Sequence, residues 1–134
     1  SAASDVYKRQ ILEGAAARLC AAPETDISEL EEIYQDSCKI LENKDFSRYT
    51  DINREFHNEI WTAAGNGKMK NMISELWNGL SMGNMVSEED YAKVSVKEHG
   101  EILEAIKAHD GDAAEAAMKE HIMRSRDDML TYYN

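Results

Sequence analysis

The sequence predicts an all-α protein, an antiparallel bundle of six helices. Three observations carry that prediction. The 134 residues include a single proline, Pro23, and no alternating β-branched run. Ala, Leu, Glu, Lys and Met, which favour helix, are abundant. Apolar residues also recur at three-to-four spacing in six successive segments separated by turn signals. A chain of this length makes one domain that buries about two-thirds of its unfolded surface.

The first helix carries Ile11, Leu12, Ala15, Ala16 and Leu19 as its inward stripe and stops before Pro23. Asp26 with Glu29 reads as a capping box opening the second helix. Its stripe is Ile27, Leu30, Ile33, Tyr34, Ser37 and Leu41. The third helix runs from about Phe46 to Ala64, with Tyr49, Ile52, Phe56 and Ile60 inward. Gly65-Asn66-Gly67 ends it, because glycine and asparagine tolerate the left-handed stop. The fourth covers roughly Lys68 to Met85, using Met69, Met72, Ile73, Leu76, Trp77 and Leu80.

Ser87 caps the fifth helix, residues 87–108, in which Tyr91, Val94, Val96, Ile102, Leu103 and Ile106 face inward. The sixth, residues 112–131, uses Ala114, Ala117, Met118, Ile122, Met129 and Leu130. The turn His109-Asp110-Gly111 joins the last two into an antiparallel hairpin, in which residues equidistant from the turn lie side by side.

Fifteen basic residues against 26 acidic ones give a net charge of −11. Such a surface repels phosphate backbones, so the chain by itself is not expected to bind DNA or an anionic membrane. No run of about 18 apolar residues exists that could span a bilayer, and no signal peptide is evident. Cys20 and Cys38 do not fall opposite one another about the turn near residue 24, so reduced thiols and a cytoplasmic location are expected.

Residues 1–10 stand apart. The in-frame reading of a common sequencing-library transposon adapter, GATGTGTATAAGAGACAG, is the run Asp5 to Gln10, and the preceding Ser-Ala-Ala-Ser fits the same origin. The expectation is therefore that residues 1–10 are not native and that 11–134 form the domain, with further sequence once upstream.

The hairpin concentrates the chemistry. His99 and His121 are equidistant from Asp110, as are the apolar or small pairs Ile102 with Met118, Leu103 with Ala117 and Ile106 with Ala114. Both histidines thus belong to the buried seam. On the third helix, Asn53 and His57 are one turn apart and share a face beside Ile52, Phe56 and Ile60. The converged set offers three imidazoles and one amide oxygen. Neutral nitrogens suit Zn²⁺ first, with Ni²⁺, Co²⁺ or Mn²⁺ also possible, and leave coordination positions open. A single inward histidine is more often a satisfied core residue, but three need partners in any case. His109 lies in the turn and is expected to be exposed and uninvolved.

These residues resemble a known family. Asn53-Arg-Glu-Phe-His57, then Ala63 to Asn66, then Glu98-His99-Gly100-Glu101-Ile102-Leu103, then Asp110 to His121, are similar in order and spacing to the FCD domain. That domain is the C-terminal effector-binding part of FadR-type GntR transcription regulators, and six helices look like the VanR-type subgroup. The resemblance covers residues 11–131. It implies a helical bundle that forms a homodimer, binds a small carboxylate effector on a divalent metal, and reaches DNA only through an N-terminal winged-helix domain. Asn53, in the position of an aspartate, together with His57, His99 and His121 would be the metal ligands.

Two departures bear on the ligand. Asn53 carries no charge, which weakens it as a metal residue. The stretch Trp77 to Met85 holds none of the arginines with which members grip a carboxylate, and the first-helix arginine would correspond to Arg9, within the adapter-like segment. The effector is thus expected to be less anionic than usual or held mainly by the metal. Trp77 and Ser125 are candidate cavity-lining residues.

Two other functional classes remain. A helical metalloenzyme would need a general base facing the metal, yet Glu98 and Glu101 point away from His99 around the helix, at roughly 100° and 200°. There is no H-E-x-x-H pair, so an enzyme is not expected. A metal-free helical interaction domain, its histidines merely packed, is the plain alternative.

Overall fold

The protein is described by a computed structural model covering residues 2–78 and 88–133, with side chains given for 3–77 and 88–125. Six α-helices follow one another: α1 (Ala2–Cys20), α2 (Ser28–Glu42), α3 (Tyr49–Ala63), α4 (Gly67–Asn78), α5 (Glu88–Lys107) and α6 (Gly111–Tyr133). No strand occurs among the described residues. Helix α1 packs along α6 and α4, α5 packs along α6, and α2 lies against α3 and α5. The readings of Leu80, Met85, Ser87, Met129 and Leu130 fall outside the described side chains.

The α5–α6 hairpin forms as its symmetry predicts. Ile102, Ile106, Ala114 and Met118 are fully buried, and Leu103 nearly so. Its turn closes on His109, which adopts a left-handed φ of 58°. The amide of Asp110 then donates to the Ala105 carbonyl at 3.0 Å, the long bond of a Schellman stop. Asp110 also caps α6 by accepting from the Ala113 amide at 3.0 Å. His109 is exposed, and its Nδ1 lies 3.0 Å from the Ala21 carbonyl.

After α3, Gly65 takes the left-handed turn (φ 75°), and Asn66 instead caps α4 through its side chain, 3.1 Å from the Met69 amide. Helix α2 departs from expectation at its start. Its N-cap is Ile27, without a side-chain cap, and Asp26 turns its carboxylate to the amide and hydroxyl of Ser28. The chain enters α3 through a single 3-10 turn, Phe46–Arg48, rather than as one helix from Phe46.

The largest correction concerns α1. Ile11 and Leu19, expected inward, are 44% and 41% exposed. Ala16 enters the core as expected, and it is joined there by Val6, Arg9, Glu13, Ala17 and Cys20. Small residues allow α1 close to its neighbours: a methyl group at Gly14 would stand 3.1 Å from the Lys119 side chain on α6. Two charged residues on that face become tolerable because each finds a partner inside. Val94 and Met72 are likewise exposed, contrary to the predicted stripes. Residues 2–10, set apart on sequence grounds, form the first half of α1, with Val6 and Arg9 in the core.

Candidate metal centre

The cluster is built by three helices and braced by a fourth. His57 comes from α3, His99 from α5 and His121 from α6, and all three are buried at 2% exposure or less. One ring nitrogen from each falls within 4.8 Å of the others. The His57 and His121 rings lie nearly parallel, 5.2 Å apart, while His99 meets both edge-on at 5.1 and 4.8 Å. Phe56 stacks on His99 at 4.0 Å and fixes its plane.

Carboxylates determine which nitrogens face inward. His57 Nδ1 lies 2.6 Å from Oε1 of Glu13 on α1, and His121 Nδ1 lies 2.7 Å from Oε1 of Glu98 on α5. Burial would raise the Glu13 carboxyl. The Arg9 guanidinium, then His57 with its hydrogen bond and that of Trp61, outweigh burial and hold it down at about 2. Glu98 is also lowered: burial works against this, and hydrogen bonds from His121 and Arg124 prevail. Both carboxylates are therefore ionised acceptors, and each Nδ1 must donate.

The Nε2 atoms of His57 and His121 then face one another, 3.3 Å apart. At that separation either one nitrogen carries a proton that the other accepts, or a cation lies between them. His99 is held neutral, because burial, reinforced by the neighbouring imidazoles and Arg124, lowers it well below its usual value. Burial likewise brings His121 down to about 4, against the upward pull of Glu98. Buried neutral imidazoles such as those of His99 and His121 are what a borderline divalent ion requires.

Two further buried atoms, Asn53 Oδ1 and His99 Nδ1, have no hydrogen-bond partner among the described residues. Asn53 sits one turn before His57 and donates from Nδ2 toward the Tyr91 hydroxyl at 3.4 Å, which leaves its oxygen unspent. His99 Nε2 is 3.4 Å from Ser95 Oγ, which in turn accepts from the Tyr49 hydroxyl at 2.5 Å. Orphaned buried polar atoms are costly, and here they coincide with the histidine cluster. The donor set thus fits a divalent metal, with three imidazoles and an amide oxygen as the residues that would hold it.

The weaker sequence candidates divide. Trp77 does border the cluster, its ring 4.9 Å from that of His57. Ser125 is buried but spends its hydroxyl on the His121 carbonyl one turn back, at 3.1 Å. Glu98 starts off the His99 face, as expected, and its side chain takes the far nitrogen of His121, a contact the sequence reading did not foresee; Arg124 Nε grips it at 2.9 and 3.0 Å. Sequence reasoning also passed over Glu13 and Trp61, and set Arg9 aside with the adapter-like segment. Trp61 Nε1 donates to Glu13 at 3.0 Å, and Arg9 pairs with Glu13 while lying over the Trp77 ring at 4.1 Å. The i, i+4 spacing of Arg9 and Glu13 along a face of alanines was the available signal. A cleft of about 320 Å³ lined by Arg54, Glu55, Asn58, Trp61, Ser74 and Trp77 runs between α3 and α4 to the two indoles.

No protein of curated function matches this sequence significantly. In fold, the chain is similar to the solved structure of E. coli McbR/YncC, with a TM-score of 0.81 at 21% identity over 98% of its length. It spans 65% of the length of that protein. The sequence pattern of the FCD domain matches residues 6–124, nearly the whole chain. The chain therefore belongs to the FCD domain family, regulatory effector-binding domains of GntR-type transcription regulators rather than enzymes.

Proposed function

We propose that this domain is a metal-dependent sensor of a small organic acid, with Zn²⁺ held by His57, His99 and His121 and assisted by Asn53. The observation that supports it most directly is the approach of two carboxylate-oriented Nε2 atoms to 3.3 Å beside a third neutral imidazole. A metal there presents a positive charge and open positions to a ligand carboxylate, and the cleft between α3 and α4 is lined by Trp77, whose ring also packs on His57. Trp77 lines that cleft, whereas Ser125 is not among its lining residues.

The domain acts as a homodimer in this reading. A groove of about 530 Å³ between α1 and α4, bordered by Ile11, Leu12, Met72 and Leu76, leaves apolar surface that a second copy would cover. Effector binding would shift the dimer between states of different affinity and so reposition DNA-binding domains attached upstream in the cytoplasm. The acidic surface keeps this domain itself off DNA. Among the described residues, no helix is long and apolar enough to cross a membrane.

The test is metal analysis of protein purified without nickel resin, followed by zinc titration of the wild type and His99→Ala. Stoichiometric binding lost in a folded His99→Ala supports the assignment, and full retention refutes it. A wild type that takes up no zinc returns the histidines to the role of packed core residues. Carboxylates that raise the melting temperature only in the zinc-loaded protein identify the effector class.

A further inference from the structure

We propose that Glu13, on α1, is a positioning residue for the histidine cluster, matched across the site by Glu98: each carboxylate takes the Nδ1–H of one histidine and so commits the opposite nitrogen to the cation. The inference rests on the metal reading above, and it extends that site to a helix that contributes no ligand.

The geometry repeats itself on independent elements. Arg9 pairs with Glu13, which accepts from His57 Nδ1 at 2.6 Å. Arg124 pairs with Glu98, which accepts from His121 Nδ1 at 2.7 Å. A guanidinium–carboxylate–imidazole series thus arises twice, from α1 to α3 and from α6 to α5 and back. Packing alone gives no reason for it, since buried ion pairs are commonly replaceable by apolar residues without loss of stability. A carboxylate behind a metal-bound imidazole fixes ring orientation and tautomer and strengthens the donor nitrogen. Glu13 is especially constrained, because Oε1 accepts from both His57 and Trp61 while Oε2 is held by Arg9. Its carboxylate plane cannot turn without breaking three bonds. Among the described residues His99 has no such backing, and its Nδ1 has no hydrogen-bond partner.

A consequence follows for α1. It reaches the cluster through Glu13, so occupancy of the metal site and seating of α1 against α3 are thermodynamically linked.

Long-range ¹H–¹⁵N spectra of the imidazoles in the zinc-free protein, paired with competitive Zn²⁺ titration, test the assignment. The wild type should show His57 protonated at Nδ1. Glu13→Ala should move His57, and not His121, toward the Nε2-protonated form and lower zinc affinity about 10- to 100-fold. Glu98→Ala should move His121 alone. Glu13→Gln, which keeps an acceptor oxygen and the side-chain volume, should retain the His57 tautomer with a smaller loss of affinity. It serves as the decisive variant if Glu13→Ala does not fold, and wild-type affinity in it would then overturn the proposal. An unchanged His57 tautomer or unchanged zinc affinity in a folded Glu13→Ala also overturns it. A wild type that binds no zinc refutes the metal reading, while the tautomer measurement on the zinc-free protein still judges the role of Glu13.

Discussion

Replacing Arg9 by methionine should be among the most damaging single changes in α1, and the reason is electrostatic. Arg9 is 3% exposed and Glu13 fully buried, so the substitution strands a carboxylate in the core with only His57 and Trp61 as donors. Removing one member of a buried ion pair costs about 3–5 kcal/mol, and the two surviving donors place this case near the lower figure. At about 4 °C per kcal/mol for a domain of this size, the melting midpoint should drop by roughly 12 °C. The double variant Arg9→Met/Glu13→Leu should recover part of the loss, because no charge is then left buried. The pH dependence identifies the cause. Glu13 sits at about 2 when folded against 4.5 when free, so the stability it contributes is present above 4.5 and is lost as pH falls toward 2. The gap between wild type and Arg9→Met should accordingly narrow over that window in urea titrations monitored by circular dichroism. A midpoint within about 2 °C of wild type, or a gap independent of pH, would refute the electrostatic account.

Three other expectations can be checked on the same protein. His121 is depressed to about 4, so the unfolded chain binds the extra proton between 6.5 and 4; stability should fall on acidification through that range by on the order of 3 kcal/mol, readable from urea midpoints at pH 7, 5.5 and 4.5. Asn53→Asp should tighten Zn²⁺ binding by about tenfold, or roughly 1.4 kcal/mol, while lowering the melting temperature of the zinc-free protein, because a buried carboxylate helps only when the ion is present. Equal affinity by competitive titration would remove Asn53 from the ligand set. Burial pushes the Cys20 thiol up to about 12, so it should resist a thiol reagent in native buffer and react on unfolding, which mass spectrometry distinguishes.

Much of the site was legible in the sequence because a helical hairpin converts numbering into geometry. Once the turn was placed at Asp110, His99 and His121 had to meet, and the i, i+4 relation of Asn53 and His57 put the third imidazole on an inward face. What escaped was whatever violated the equation of charge with solvent. Arg9 was set aside with the adapter-like segment and Glu13 went unremarked, so the inward stripe was drawn on apolar residues alone; Ala16 is buried as expected, but Ile11 and Leu19 are exposed. Glu98 was discounted from the direction of its Cα–Cβ bond, whereas a flexible side chain wraps around the neighbouring helix to His121. The left-handed stop falls on Lys44 (φ 56°) rather than on Asn43 before it; the Asp45 amide bonding back to Ile40 at 3.0 Å holds it in place.

The chain has only two tryptophans, and both stand at the histidine cluster: Trp61 donates to Glu13, and Trp77 lies between Arg9 and His57. Any event that moves a proton, an ion or a ligand at that cluster must alter the surroundings of every indole in the molecule. Tryptophan emission, excited selectively over that of the six tyrosines, therefore acts as a label-free reporter of the cluster, and screening of candidate metabolites can begin without a dye or an engineered probe.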